Sequence, residues 1–206
     1  YEVSQMKTFE KAILCGLIFS VLLSITAFSG RCESISQKVF RLHILANSDL
    51  VEDQELKLKV RDKILESSKD EFLEIDSMED AKAVTAQNID KMIQVARQEI
   101  KRNGYDYDVK GEIVSMYFNT RRYGNIVLPA GYYNALRIVI GKGEGKNWWC
   151  VMFPPICVSA AEEPKKLDDV LSSQELDITE NEDEYEFRFK IVEIFEKVCE
   201  FFDALM

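Results

Sequence analysis

The sequence predicts a single α+β domain, a mainly antiparallel sheet of about four to five strands covered by helices. Three observations point there. The chain has 206 residues, the size of one domain. Its 47% apolar and 30% charged residues supply a real core and exceed what a disordered chain carries. Branched and aromatic runs are interspersed with apolar stripes at helical spacing, and neither a repeat nor a long Pro/Ser linker breaks the chain.

The first element concerns location. Lys7 and Lys11 precede a charge-free run of 17 residues from Ala12 to Phe28. As a helix that run reaches about 26 Å, against about 30 Å for a bilayer's hydrocarbon core. The basic start, the apolar middle and the small residues Ala27 and Ser29 read as a secretory signal peptide over 1–29, cleaved before Gly30. An uncleaved N-terminal anchor is the alternative. Arg31 spoils the small-residue approach that a lipoprotein site at Cys32 needs, and Met6-Lys7 reads as a natural start. Residues 30–206 then form one secreted domain.

Val39 to Leu45 reads as a strand with apolar residues on both faces, hence a central one. Asn47-Ser48-Asp49 stops it, and Asp49 with Glu52 resembles a helix-start pair. Leu56, Val60 and Ile64 predict a helix over 50–67. Ser77 and Asp80 open a second helix, carried by Ile89, Met92, Ile93, Ala96 and Ile100 and stopped at Asn103-Gly104. Tyr105 to Phe118 reads as a strand. A turn region with Tyr123-Gly124 and Pro129-Ala130-Gly131 follows. Leu136–Ile140 and Trp148–Phe153 are two further strands, which the glycine-rich stretch Gly141–Asn147 is expected to join as a hairpin. Tyr185, Phe187 and Phe189 alternate like a short strand. Ile191, Ile194, Phe195, Val198, Phe202 and Leu205 predict an amphipathic helix over 190–205.

Charge and composition exclude several classes. A net charge of −10 is a poor basis for neutralising phosphates, so no nucleic acid is expected as partner. The single histidine excludes two-histidine zinc motifs, and no metal or other cofactor is expected. Eleven acids against Lys165 and Lys166 place a net −9 between Glu162 and Glu186, so this segment carries nearly all the charge. It reads as a solvated loop, with a docking strip for a basic partner as the alternative. Of the five cysteines, Cys15 lies in the apolar run and the other four would face an exported space. Four cysteines allow three pairings, and sequence does not choose among them. Cys150 and Cys157 are the closest pair, and their loop would contribute about 2.5 kcal/mol. Two reduced, buried thiols are the alternative.

No catalytic set stands out. The glycine loop holds Gly145-Lys146, but Asn147 stands where a P-loop needs Ser or Thr, and its flanks are both strands. His43 and Ser48 are about 16 Å apart in an extended strand, beyond the hydrogen-bond reach of a nucleophile and its base. No G-x-S-x-G, D-T-G or D-S-G triplet is present. An exported, cell-wall-directed hydrolase using His43 with Asp49 or Asp53 as acid and base is the enzymatic alternative. Trp148 and Trp149, adjacent in a strand, must point to opposite faces, and at least one belongs in the core.

Two stretches carry a resemblance. One is Arg41-Leu42-His43-Ile44-Leu45-Ala46-Asn47-Ser48-Asp49, continued by Asp53-Gln54 and Leu56-Lys57-Leu58-Lys59-Val60-Arg61-Asp62. The other is Leu128-Pro129-Ala130-Gly131, then Tyr133, Ala135-Leu136-Arg137-Ile138, Ile140-Gly141, Gly143, Gly145 and Asn147-Trp148-Trp149-Cys150-Val151, ending Phe153-Pro154-Pro155 and Cys157. Together, over about residues 38–158, they resemble the stage II sporulation protein R family of endospore-forming Gram-positive bacteria. The resemblance implies a protein made in the forespore and exported to the septal intermembrane space. There it would activate a membrane-embedded aspartic protease of the mother cell, which processes the sigma-E precursor. It implies a ligand rather than a catalyst, touching the membrane only through its N-terminal segment. Arg41, His43, Asn47, Asp49, Arg137, Trp148 and Trp149 are the expected partner-binding residues.

Overall fold

The computed structural model describes residues 8–73, 75–155, 167–181, 185 and 187–194. Along the chain run α1 (Thr8–Gln37), β1 (Phe40–Leu45), α2 (Val51–Ser67), α3 (Lys69–Leu73), α4 (Met78–Arg102), β2 (Val109–Phe118), β3 (Arg121–Tyr123), β4 (Ile126–Leu128), β5 (Gly131–Ile140), β6 (Asn147–Phe153), α5 (Leu167–Val170) and α6 (Ser173–Glu180). Residues 187–194 are also helical. The α+β expectation holds.

Four strands form the main sheet in the order β2-β5-β1-β6. β1 is central, as its two apolar faces require, and runs parallel to β5 and antiparallel to β6. β2 pairs antiparallel with β5 over its whole length. The expected hairpin between β5 and β6 is therefore corrected: β1 lies between them, and the glycine-rich loop steps across its end. Two strand spacings amount to about 10 Å, which six residues span easily.

One face of the sheet is closed by α2 and α4. Phe40, Leu42 and Ile44 of β1, with Leu136, Ile138 and Ile140 of β5, pack against Leu56, Val60, Ile64, Met92, Ala96 and Ile100. Helix α4 begins where the sequence places it, with the Ser77 hydroxyl accepting from the Asp80 N–H at 3.1 Å. It ends at Asn103-Gly104, where Gly104 takes a φ of 85°. Helix α2 starts differently. Leu50 is its N-cap and offers no side-chain bond, because Asp49 is used elsewhere.

The opposite face is only partly covered. Phe28, Cys32 and Ile35 of α1 pack with Phe118, Tyr133, Ala135 and Val151 of the sheet, Val127 and Leu128 of the β3–β4 ribbon, Ile178 of α6, and Phe189 and Val192. The short β3–β4 ribbon falls in what the sequence marks only as turn. Tyr185 and residues 187–194 are helical, which corrects the expected strand over 185–189. The buried positions Phe189 and Val192 are spaced by three, and that spacing fits a helix face. Ile194, expected on the buried stripe, is 63% exposed. Residues 195–205 of the expected C-terminal helix lie outside the described residues.

Within the acidic segment, the described residues 167–170 and 173–180 are helical, where a solvated loop is expected. Ser172 and Glu175 form a capping box at the start of α6. The buried Glu175 carboxylate also accepts from Lys38 Nζ at 2.7 and 3.0 Å and from the Ser34 hydroxyl at 2.6 Å. Burial opposes its ionisation, but these bonds prevail and bring the carboxyl down to about 2. Helix α6 is thus pinned to the C-terminal end of α1. Cys150 is disulfide-bonded, and Cys157, its expected partner, lies outside the described residues.

Candidate partner-binding face

β1 and its neighbours set the site by register. On the partly covered face, His43 stands beside Arg137 of β5 and Trp149 of β6, and Arg137 stands beside Glu112 of β2. The His43 ring stacks on Trp149 at 4.0 Å between centroids, with 5° between planes. Its Nε2 bonds the Asn147 amide oxygen at 2.8 Å, which at neutral imidazole makes Nε2–H the donor. Nδ1 has no hydrogen-bond partner among the described residues. Burial holds the imidazole below its usual 6.5; the Asn147 bond pulls the other way, and the Arg137 charge adds to the lowering. His43 is therefore neutral at pH 7, a packing and positioning group for Trp149.

Arg137 and Glu112 form the accessible part. Arg137 Nη1 donates to Glu112 Oε1 at 3.0 Å, with side chains 39% and 54% exposed. Arg121, from the ribbon, places its guanidinium 5.9 Å from the Trp149 ring centroid. The result is a half-open strip of two guanidinium groups, an indole and a carboxylate. Arginine and tryptophan are the side chains most enriched at binding hot spots.

Arg41 lies on the same face but is fully buried. Its guanidinium faces Phe118 at 4.0 Å, Tyr133 at 4.8 Å and Tyr123 at 5.6 Å, and donates to the Tyr123 hydroxyl. Nε and Nη1 have no hydrogen-bond partner among the described residues. Arg41 thus holds the β3–β4 ribbon, and with it Arg121, against the sheet.

Asn47 and Asp49 form a knot between the β1–α2 turn and the glycine loop. The Asn47 amide donates to Asp53 Oδ2 at 2.8 Å, and its oxygen accepts the Lys142 N–H at 3.1 Å. Asp49 accepts the Lys146 N–H at 2.7 Å. Ser48 donates to Asp53 at 2.6 Å. Burial raises the Asp53 carboxyl, but its bonds from Ser48, Asn47 and Tyr107 together hold it below the usual carboxylate range. Lys57, also buried, donates to the Lys146 carbonyl at 2.8 Å. A Cβ on Gly141 would sit 2.2 Å from Asn47 Oδ1, and one on Gly145 2.2 Å from the Ser48 carbonyl oxygen. The loop's glycines are there for close approach.

Trp148 is on the other face, half-buried against the α2–α4 core, with the Arg61 guanidinium 4.5 Å from its ring centroid. The structure therefore brings together Arg41, His43, Arg137 and Trp149, sets Asn47 and Asp49 in a loop knot, and separates Trp148. Sequence alone singles out neither Arg121 nor Glu112. Glu112 gains meaning only from its pairing with Arg137, and Arg121 only from the ribbon; the Arg121-Arg122 doublet was the one local hint. For the hydrolase alternative, Asp49 and Asp53 are bonded within the knot, and among the described residues no carboxylate bonds His43.

Comparison with known proteins adds the family. The profile of stage II sporulation protein R matches residues 36–163. Stage II sporulation protein R of Bacillus subtilis (strain 168) is 37% identical over 123 residues, which cover 60% of this chain and 55% of that protein. The match thus spans about half the length of that relative. No solved structure matches.

Proposed function

Because this chain belongs to the stage II sporulation protein R family, we propose that within sporulation it is an exported intercellular signal. It is made in the forespore and passes into the septal intermembrane space. There it activates the mother-cell membrane aspartic protease that processes the sigma-E precursor. The observation that carries the ligand role is the Arg137–Glu112–Trp149–Arg121 strip, held on a rigid sheet by side chains that are themselves buried. His43 supports this role, since its ring and Nε2 are occupied by Trp149 and Asn147.

The mechanism is a population shift. The strip binds the protease's active arrangement more tightly than its inactive one, and each tenfold shift needs only about 1.4 kcal/mol of differential binding. A strip with two arginines and one indole is sufficient for that. The test is reconstitution in a non-sporulating host that makes the protease and the sigma-E precursor, with or without this chain exported. Precursor shortening only in the presence of the chain is expected. No shortening, with export and folding confirmed, would overturn the reading.

A further inference from the structure

We infer that α1 is retained as a membrane anchor and that the helix over 187–194 lies against the same bilayer. Helix α1 is one continuous helix divided by burial. Ile13, Leu17, Phe19, Val21 and Leu23 are 48–63% exposed, whereas Phe28, Cys32 and Ile35 are buried. Phe28 stacks on Tyr185 at 5.7 Å, 8° between planes, and tilts over Phe189 at 5.7 Å. Cleavage before Gly30 would take Phe28 out of that cluster and cut the helix whose next turns pack on the sheet. The domain's own core therefore begins upstream of the expected cleavage point.

The helix over 187–194 carries an apolar face of its own. Phe187 and Ile194 are 75% and 63% exposed, and with Ile191 they follow a four-then-three spacing on one helix face. Val21, Ser24 and Ile25 of α1 line one apolar cleft of about 180 Å³ with Phe187 and Ile191. The exposed apolar surface is thus continuous from one helix to the other. The charge-free run of α1, about 26 Å long, falls short of a hydrocarbon core of about 30 Å. The second helix adds apolar surface where the run ends. Around Phe28 sit Tyr185 and the Arg188 guanidinium, 5.8 Å from the Phe28 ring centroid, side-chain types that favour the bilayer–water interface.

The test uses the full chain expressed in a bacterial host. Membranes are washed with alkaline carbonate and the retained chain is weighed by intact mass spectrometry. A carbonate-resistant species that still contains the residues before Gly30 is expected; a soluble species beginning at or after Gly30 overturns the inference. For the second helix, the parent chain and Phe187→Trp are placed in phosphatidylethanolamine–phosphatidylglycerol vesicles with or without lipids brominated on the upper acyl carbons. Phe187→Trp is expected to lose a larger share of its emission to the brominated lipid than the parent does. Equal losses would show the helix standing clear of the bilayer and overturn that part.

Discussion

The glycine loop allows a sharp prediction. Gly145 has no room for a side chain: an added Cβ would meet the Ser48 carbonyl oxygen at 2.2 Å, its carbon at 2.6 Å and Ala46 Cβ at 2.9 Å. Two of these atoms are backbone, so a Gly145→Ala substitution must push the loop away from the β1–α2 turn. Three hydrogen bonds of residues 144–146 hold the loop there: the Glu144 N–H to Asn47 O at 3.2 Å, the Gly145 N–H to Ala46 O at 3.0 Å, and the Lys146 N–H to Asp49 at 2.7 Å. At about 1 kcal/mol each, their loss is worth about 3 kcal/mol. Gly124→Ala is the control. That glycine has a φ of 63° but nothing within 4 Å of an added Cβ, so only the left-handed backbone resists, at about 1–2 kcal/mol. Urea unfolding of the full chain in mild detergent, followed by tryptophan fluorescence, gives both values. Equal losses for the two variants would refute the close-packing account of the loop.

Glu175→Gln should lose about 2 kcal/mol at pH 7: a carboxyl lowered from 4.5 to about 2 is worth about 3 kcal/mol, reduced because Lys38 is 37% exposed. That contribution is fully present above pH 4.5 and fades as the pH falls toward 2, so the melting curves of variant and parent should converge there; a constant gap across that range would exclude the ion pair as the cause. His43, held below 6.5, stays neutral while the unfolded chain takes up a proton, so its contribution to stability falls as pH drops below 6.5. His43→Gln should flatten the stability profile between pH 6.5 and 5, and an unchanged slope would contradict its burial as a neutral ring. Arg41→Met gives up the bond to the Tyr123 hydroxyl and the contacts with three aromatic rings, but relieves a buried guanidinium that no carboxylate pairs among the described residues, so stability should change by less than about 2 kcal/mol. A larger loss in thermal unfolding would show that the ribbon contacts outweigh the relief of the buried charge. Arg137→Ala and Arg121→Ala should each reduce precursor processing in the reconstituted host while leaving thermal unfolding within about 0.5 kcal/mol of the parent; undiminished processing in the double variant would remove the strip as the contact.

What the sequence made legible was local. The two-faced apolar run of β1 required a central strand, and Ser77-Asp80 and Asn103-Gly104 bounded α4 through bonds spanning a few residues. What it hid was pairing at a distance. Asp49 followed by Glu52 has the form of a helix start, but the Asp49 carboxylate reaches Lys146, 97 positions away. The glycine stretch has the form of a hairpin turn, but the pairing of β1 with both β5 and β6 makes it a crossing. Glu175 is one acid among many in a charged run until Lys38 and Ser34, 137 and 141 positions earlier, are found on it. The helix over 187–194 overrode an aromatic alternation because Phe189 and Val192 face one core.

These long-range pairings also change what the shared motifs mean. The Asn47-Ser48-Asp49 stretch and the Gly141–Asn147 stretch are two halves of one knot, tied by Asp53, Lys57 and the glycines. The knot fixes the ends of β1, β5 and β6, and so fixes His43, Arg137 and Trp149 relative to one another. Belonging to a motif therefore does not identify a contact. Asn47 and Asp49 are bonded within the fold, whereas Glu112 and Arg121, outside both motifs, lie on the open strip. The two roles separate by measurement: Asn47→Ala leaves the Asp53 carboxylate short of a donor and the Lys142 N–H without its acceptor. Its effect on signalling should therefore track a stability loss of about 1–3 kcal/mol and be recovered at lower temperature. Arg121→Ala should reduce signalling equally at both temperatures, because it alters a surface that the fold no longer needs in order to stand.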